Sequence, residues 1–223
     1  LSPIQGTELC AVAEQMYSYE LLYACTGDRV WAERLELLAF NALPATFSDD
    51  MWAHQYVQMS NQIACRKFPG RSLFRTNGSE AHLFGLEPNY GCCTANFGQA
   101  WPKLALSAFL YQDDTVLSAV PVPGELRTDA LTVTLHTNYP FENEFLYRVQ
   151  ARKPFRLRVR IPSFARDIKV NGAPADNTGE LDFTFDADTD TEIGISYDIR
   201  VETVERPNGL NSVKCGSLVF SIP

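Results

Sequence analysis

The feature that most constrains the fold of this sequence is a change in the spacing of its apolar residues near residue 113. Before that point the apolar residues recur about every 3.6 positions, as in an α-helix, and after it they recur about every second position, as in a β-strand. We therefore predict an α+β, multidomain chain. Its helical part would span residues 1–113 and its β part residues 114–223.

Three helices are predicted in the first part. Apolar residues at helical spacing run from Ala11 to Ala24, and the Thr-Gly pair that follows is a typical helix stop. Asp28 is a good N-cap for a second helix, which Pro44 would end. The short connection predicts that these two helices are antiparallel neighbours. A third helix is expected from about Thr94 to Tyr111.

Between the second and third helices, residues 45 to 91 are rich in polar and turn-forming residues and show little periodicity. We predict long loops with short elements here. Such long loops are uncommon in a compact domain unless they have a function, so this segment is a candidate wall of a binding site.

The second part reads as short strands separated by turns, which predicts an antiparallel β-sandwich of about eight strands. The predicted strands are Thr115 to Val120, Leu131 to Thr137, Phe145 to Ala151, Phe155 to Ile161, Ile168 to Val170, Leu181 to Phe185, Glu192 to Tyr197 and Val201 to Glu205.

The formal net charge of -8 disfavours a nucleic-acid partner, because binding to phosphates normally requires a concentrated basic surface. The one dense basic stretch contains Arg156, Arg158 and Arg160. These arginines alternate with apolar residues, which is the pattern of a strand with a solvated, charged outer face.

The sequence contains no apolar run of about 18 residues, so no membrane-spanning helix is expected. The first 20 residues do not have the parts of a secretory signal, and both ends look cut from a longer protein. The six cysteines are too sparse for a small disulfide scaffold. If the cysteines act as thiolates, a reducing compartment such as the cytoplasm is favoured, with a bacterial periplasm or secretion as alternatives.

The best chemical candidates are Glu8 and Cys10, two residues apart, and the adjacent pair Cys92 and Cys93. One carboxylate and three thiols suit zinc, which prefers four nitrogen, sulfur or oxygen donors in a tetrahedral array. The spacing alone leaves alternatives open, because adjacent cysteines are unusual in zinc sites. The alternatives are buried free cysteines, which behave as small hydrophobic residues, or a strained vicinal disulfide.

The position of the cysteine pair strengthens the case for chemistry. Cys92 and Cys93 directly precede the predicted third helix and follow Gly91, which permits tight backbone geometry. The N-terminus of a helix favours negative charge and lowers the pKa of a thiol placed there, and a bound zinc ion would lower it further. One of the two cysteines could therefore serve both as a ligand and as a nucleophile.

A set of short segments spread through almost the whole chain points to a known family. The segments are Glu8-Leu9-Cys10-Ala11, Thr26-Gly27-Asp28, Arg34-Leu35-Glu36, Phe40-Asn41-Ala42-Leu43, Gly91-Cys92-Cys93 with Asn96, Tyr139-Pro140-Phe141, Arg160-Ile161-Pro162 and Val170-Asn171-Gly172. Together they resemble the β-L-arabinofuranosidase family, glycoside hydrolase family 127, and its uncharacterised relatives.

This resemblance implies the last part of an (α/α)6 barrel packed on a β-sandwich. It also implies a zinc ion whose ligands are Glu8, Cys10, Cys92 and Cys93. Cys92 would attack the anomeric carbon and form a thioglycosyl intermediate with retention. The general acid of such an enzyme would fall upstream of residue 1.

By the same resemblance, Glu36 and Tyr56 would contact the sugar. The alternatives are that Glu36 is a carboxylate on the surface of a helix and that Tyr56 is a packed aromatic residue.

The remaining histidines and cysteines are weaker candidates. We expect His54 to be structural or to face a pocket, and His136 to be structural, while His82 is undecided. Cys25 and Cys215 are predicted core residues, and Cys65 is left unassigned.

The sequence therefore predicts the C-terminal fragment of a retaining glycosidase that acts on a β-linked L-arabinofuranoside or a related sugar and is inactive by itself. One alternative is a carbohydrate-binding or interaction module in which the cysteines are structural. Another is that the helical part exposes a broken barrel face and associates with itself or with another polypeptide.

Overall fold

The structure, a computed structural model, describes residues 6–59, 62, 65–66, 81–85 and 91–220. Within these ranges a helical part is followed by two β-sheets packed face to face and by a smaller third sheet. This arrangement confirms the predicted α+β fold with an N-terminal helical segment and a β-sandwich.

The first two helices are α1 (Leu9–Thr26) and α2 (Arg29–Leu37). Gly27 ends α1 with a φ of 67°, in the left-handed region that glycine adopts without strain. The side chain of Asp28 accepts a 3.0 Å hydrogen bond from the Val30 amide and so caps α2. The predicted stop and the predicted cap are both confirmed. After α2 the chain continues in a π-helical turn at Leu38–Ala42 and a short 3-10 turn at Pro44–Thr46.

The third helix, α3 (Gly91–Leu106), begins and ends earlier than predicted. Residues Phe109–Gln112, expected in this helix, form a strand that pairs with Thr115–Ser118. A run of three apolar residues at 109 to 111 fits either period, and the pairing across the turn decides for the strand. Strand pairing in the sandwich therefore starts four residues before the predicted boundary at 113.

The strands lie mainly in the second half of the described chain. In chain order they are β1 (Thr7–Glu8), β2 (Val57–Gln58), β3 (Phe109–Gln112), β4 (Thr115–Ser118), β5 (Gly124–Arg127), β6 (Leu131–His136), β7 (Glu144–Ala151), β8 (Phe155–Arg160), β9 (Arg166–Val170), β10 (Ala173–Pro174), β11 (Glu180–Phe185), β12 (Thr189–Asp198), β13 (Val201–Arg206), β14 (Leu210–Cys215) and β15 (Leu218–Phe220).

The sandwich consists of a six-stranded sheet, in the order β10-β9-β12-β7-β6-β5, and a four-stranded sheet, in the order β11-β8-β4-β3. Its described strand pairs are antiparallel, with the exception of β4 and β8, which are parallel. The core between the sheets contains Val133 and Leu135 from one sheet and Leu157 and Val159 from the other. Full burial of one such side chain contributes about 1.5–3 kcal/mol. The third sheet is β13-β14-β15.

The outer face of β8 corrects one prediction. Arg156 and Arg158 face outward, where both approach Asp182, but Arg160 is only 3% exposed. The Arg160 guanidinium pairs with the buried carboxylate of Glu36 on α2, and its Nε donates a 2.7 Å hydrogen bond to a backbone carbonyl. The prediction of a solvated Arg160 is wrong because α2 covers this end of the strand.

A membrane-spanning helix is absent from the described ranges, where no helix combines sufficient length with sufficient apolarity.

Candidate metal centre

Two helix starts bring the predicted ligands together. Strand β1 pairs with β2 and runs directly into α1, which places Glu8 at the N-cap and Cys10 in the first turn. Helix α3 packs against α1 and carries Cys92 and Cys93 in its own first turn. The carboxylate oxygen and the three sulfurs all lie within 4.8 Å of one another. Residues more than 80 positions apart in the sequence thus form one group, which we call the Cys-Glu cluster.

The geometry of the Cys-Glu cluster fits a zinc ion. With a zinc–sulfur distance of 2.3 Å and tetrahedral angles, two sulfur ligands are expected about 3.8 Å apart. The Sγ atoms of Cys10 and Cys93 are 3.5 Å apart. The Glu8 side chain makes no capping hydrogen bond to α1 in the described structure, so its oxygens are not committed to the helix. The four donor atoms are close enough to one another to share one ion.

The two adjacent cysteines lie in different environments. Cys93 is fully buried, whereas Cys92 is exposed. Cys10 and Glu8 are intermediate. Cys92 is therefore the thiol of the cluster that a molecule from solvent reaches most directly, and Cys93 can act only as a ligand or as a packed thiol.

Burial is the main electrostatic influence on the inner sulfurs. Desolvation raises the pKa of the Cys93 thiol well above its ordinary value, and the neighbouring Cys10 raises it further. Desolvation also raises the pKa of Cys10, although the Asn96 side chain opposes this with a hydrogen bond that favours the thiolate. A divalent cation would reverse this balance, because it stabilises coordinated thiolates.

All six cysteines are free, so the vicinal disulfide considered from the sequence is not formed. Cys25 is exposed near the end of α1, and the prediction that it is a core residue is wrong. Cys215 is partly buried in β14. Cys65 is exposed and accepts hydrogen bonds from Gln55 and Gln62.

Tyr56 lies beside the Cys-Glu cluster. Its backbone carbonyl accepts a 3.0 Å hydrogen bond from the Leu9 amide at the start of α1. Burial, together with the negative charge of Glu8, raises the pKa of the Tyr56 hydroxyl to about 12, so this hydroxyl stays protonated at neutral pH. Contact between Tyr56 and a sugar stays a prediction, and the position of the residue is compatible with it.

Glu36 does not join the Cys-Glu cluster. Its carboxylate is completely buried between α2 and the sandwich, where it pairs with Arg160. It also accepts hydrogen bonds of 2.6 Å from the hydroxyls of Tyr139 and Ser217. A sugar contact does not fit a carboxylate with this burial and these partners, and neither does the alternative of a carboxylate on the helix surface. Glu36 anchors α2 to the sandwich.

His54 supports the start of α3 from the side. It is 6% exposed, and its Nδ1 lies 3.3 Å from the Gln55 carbonyl oxygen, which can only accept. Nδ1 therefore donates to this oxygen, and Nε2 shares a 3.2 Å hydrogen bond with the hydroxyl of Thr94. Because Thr94 follows Cys93 directly, this contact fixes the turn that holds the cysteine pair.

The other two histidines lie elsewhere. The fully buried His82 donates from Nε2 to the Arg66 carbonyl at 2.7 Å, which is a structural contact. His136 is exposed at the end of β6.

Asn96 supports the Cys-Glu cluster, a role that was not predicted for it from the sequence. Its side chain contacts the Cys10 thiol and also accepts a hydrogen bond from Gln99. The sequence contains a signal for this role, because Asn96 follows Cys92 by four residues and so lies on the same face of α3.

No family sequence model and no curated protein sequence matches the chain. Among the solved structures similar to it, three match 95–97% of the chain. The first is a GH127 β-L-arabinofuranosidase from Geobacillus stearothermophilus T6, at 16% identity and a TM-score of 0.71. The second is a GH127 β-arabinofuranosidase, at 19% and 0.73. The third is described as a glycoside hydrolase, at 20% and 0.74.

The chain shares their fold. The match extends through both the helical part and the sandwich, and it is the fold towards which the sequence resemblance pointed. The chain spans only 36–37% of the length of these structures. The part of the fold that holds the Cys-Glu cluster is thus, in each of these proteins, one part of a much longer chain.

Proposed function

We propose that this chain is the C-terminal part of a zinc-dependent retaining glycoside hydrolase that acts on β-linked L-arabinofuranosides or a related sugar. The observation that carries the proposal is the convergence of one carboxylate and three thiols at the starts of α1 and α3. The shared fold supports it, because two of the similar structures are arabinofuranosidases of family 127. In this proposal the three helices are the last part of an (α/α)6 barrel.

The proposed zinc ligands are Glu8, Cys10, Cys92 and Cys93. When bound, zinc would keep its cysteine ligands in the thiolate form at neutral pH. Cys93 is fully buried and Cys10 is partly buried. Both sulfurs are suited to hold the ion, because water has little access to take their place as ligands.

Cys92 is the proposed nucleophile because it is the exposed thiol of the cluster. Its sulfur would attack the anomeric carbon, and the bond from that carbon to the leaving oxygen would break as the sulfur–carbon bond forms. A general acid from the preceding part of the protein would give its proton to the leaving oxygen. Water would then hydrolyse the thioglycosyl intermediate, so that two inversions at the anomeric carbon give net retention.

Tyr56 is the proposed sugar contact from this chain. Its hydroxyl remains protonated at neutral pH and is hydrogen-bonded to Glu8, so its oxygen can accept a hydrogen bond from a sugar hydroxyl. We propose a reducing compartment for the protein, on the ground that the mechanism needs free thiols.

A second proposal from the sequence, self-association, concerns the exposed face of α1. Tyr17, Leu21 and Leu22 are each more than a third exposed on this helix. In the longer protein we expect other barrel helices to cover this face. Sedimentation of the isolated chain tests the alternative, and a stable monomer counts against it.

The glycosidase proposal is tested with the full-length protein and a chromogenic β-L-arabinofuranoside. We expect Cys92→Ala to lower kcat by about 10³-fold or more, as for the loss of other nucleophiles. Cys25→Ala, which removes an exposed thiol outside the cluster, should retain wild-type activity. NMR of the first-formed sugar should show the β anomer. Hydrolysis that proceeds at the wild-type rate in Cys92→Ala, or with inversion, would refute the proposed mechanism.

A further inference from the structure

The sandwich has a trough on the outer face of its six-stranded sheet. The residues that line it come from the second half of the sequence, whereas the Cys-Glu cluster is formed by the first half. Its volume is about 570 Å³, within the range of small-molecule sites. Strands β6, β7 and β12 form its base, and the turn between β9 and β10 closes one side. The lining includes His136, Asn138, Glu144, Leu146, Asn171 and Gly194.

Gly194 creates the depression. In the strand register His136 pairs with Leu146, and Leu146 pairs with Gly194, so the three residues form one row across the sheet. The middle residue of the row is apolar and half-buried, and the last has no side chain. A Cβ atom at Gly194 would meet only the Asn171 Oδ1, at 3.7 Å, so the space above it is open. Glycine within a strand is typical where a ligand approaches the backbone.

Asn171 is held as a fixed wall of this trough. The side-chain Oδ1 of Asn171 accepts a 2.8 Å hydrogen bond from the Gly194 backbone amide, and the backbone amide of Asn171 donates to the Gly194 carbonyl at 2.8 Å. With both groups anchored to β12, the asparagine has little freedom, which reduces the entropic cost of binding a ligand against it.

The rim of the trough is polar and rich in hydrogen-bond acceptors. The carboxylates of Glu142 and Glu144 lie on it, and Asn138 donates to Glu142 at 3.0 Å. The lining contains no lysine or arginine among the described residues, so an anionic ligand such as a phosphate would be repelled. An apolar base surrounded by carboxylate, amide and imidazole groups matches a sugar ring, which has C–H groups on its faces and hydroxyl donors at its edge.

An exposed aromatic residue lies in the same turn. Phe141, which is 81% exposed, stands between the lining residues Asn138 and Glu142. A large apolar side chain left in solvent beside a polar trough is the kind of surface on which a sugar ring packs.

We propose that this trough is a second, non-catalytic binding site for a neutral saccharide unit. It would retain a sugar chain on the protein and take no part in bond cleavage. The proposal does not depend on zinc or on the Cys-Glu cluster, and it gives the β-sandwich a binding role of its own.

The test is an amide NMR titration of this chain with the neutral sugars L-arabinose, D-galactose and D-glucose. We expect at least one of them to shift the amides of Leu146, Asn171 and Gly194, with a Kd of about 1–10 mM, as is typical of weak sites. Gly194→Leu fills the base and should weaken binding about tenfold or more, and Glu144→Gln should weaken it several-fold. The control Asp190→Asn, on the outer face of β12 away from the trough, should bind as wild type.

Three results would overturn the proposal. The first is the absence of shifts at the trough with all three sugars. The second is unchanged affinity in both Gly194→Leu and Glu144→Gln. If Gly194→Leu does not fold, unchanged affinity in Glu144→Gln alone decides, because Glu144 is exposed and its substitution should not affect folding. The third is that calcium chloride alone shifts these amides, which would make the trough a cation site. Cys10→Ala separates the two proposals, because it should lose zinc and retain the sugar.

Discussion

The contrast between Cys92 and Cys93 follows from helix geometry. Successive residues in an α-helix point about 100° apart, so two adjacent cysteines in the first turn of α3 leave the helix in different directions. One sulfur enters the helical core and the other faces solvent. The unusual adjacency that weakened the zinc prediction therefore has a structural consequence, which is one shielded ligand and one accessible thiol.

This contrast predicts a difference in chemical reactivity. In the reduced, metal-free chain, iodoacetamide should alkylate Cys92 about tenfold faster or more than Cys93, because only the first sulfur is accessible. Exposed Cys25 is the internal control and should react readily. Peptide mass spectrometry after short reaction times measures the three rates. Faster alkylation of Cys93 than of Cys92 would show that the orientation of the pair is wrong.

Asn96 predicts an effect on metal affinity without being a ligand. Its side chain contacts the Cys10 sulfur, and partners of this kind orient a ligand and favour its charged form. Asn96→Ala should weaken zinc binding about tenfold, measured by competition with a chromogenic chelator. Gln99→Ala, which removes the partner of Asn96 but no contact to sulfur, should change affinity much less. Equal affinities for the wild type and Asn96→Ala would remove Asn96 from the site.

At the scale of elements, α1 and α3 pack around a buried carboxylate. Glu20 on α1 is 5% exposed, and its Oε2 accepts a 2.7 Å hydrogen bond from Ser107 just after α3. Its Oε1 has no partner in the described structure. Burial raises the pKa of Glu20, so the fold favours the protonated carboxyl. The stability from this preference is present below the unfolded-state pKa and is lost as the pH rises through the folded-state pKa.

Glu20→Gln should therefore stabilise the chain at neutral pH. We expect Tm to rise by about 1–3 °C at pH 7, and the gain to shrink as the pH approaches 4. Glu14→Gln is the control on the same helix, because Glu14 is exposed and its ion pair with Lys103 is a weak surface contact. Thermal unfolding at both pH values measures the difference. A lower Tm for Glu20→Gln at pH 7 would contradict the argument.

Local signals decided which elements were predictable. Gly27 and Asp28 end one helix and start the next through contacts within a few residues, so the sequence reveals both. Residues Phe109–Gln112 depend on pairing with the next strand, and their apolar run has no period of its own. Arg160 depends on α2, which is more than 100 residues away, so no local pattern separates it from Arg158.

At the scale of the whole molecule, the Glu36–Arg160 pair joins the helical part to the sandwich. Removing one partner of a buried ion pair leaves an uncompensated charge and typically costs about 3–5 kcal/mol. Glu36→Ala should therefore lower the free energy of unfolding by about that amount, measured by urea denaturation. Glu192→Ala breaks the exposed pair with Arg148 and is the matched control, with an expected cost of about 1 kcal/mol or less. Similar costs for the two variants would show that Glu36 is not buried as described.

The candidate site was predictable as a list of residues but not as a shape. The sequence places Glu8 and Cys10 far from Cys92 and Cys93, and only the packing of α1 against α3 joins them. The trough at Gly194 has no sequence motif, since it arises from the register of three strands. The burial of Glu36 likewise required the fold, because a helix residue can face solvent or another layer with the same local sequence.

Zinc content is the most direct test of the Cys-Glu cluster. The chain, purified without chelator and supplied with zinc, should contain about one zinc ion per chain by elemental analysis. Cys10→Ala and Cys92→Ala should lose most of it, and Cys25→Ala should retain it. Two results would contradict a metal site formed by Glu8, Cys10, Cys92 and Cys93. One is folded wild-type protein that holds no zinc, and the other is a zinc content in Cys10→Ala and Cys92→Ala that equals the wild-type content.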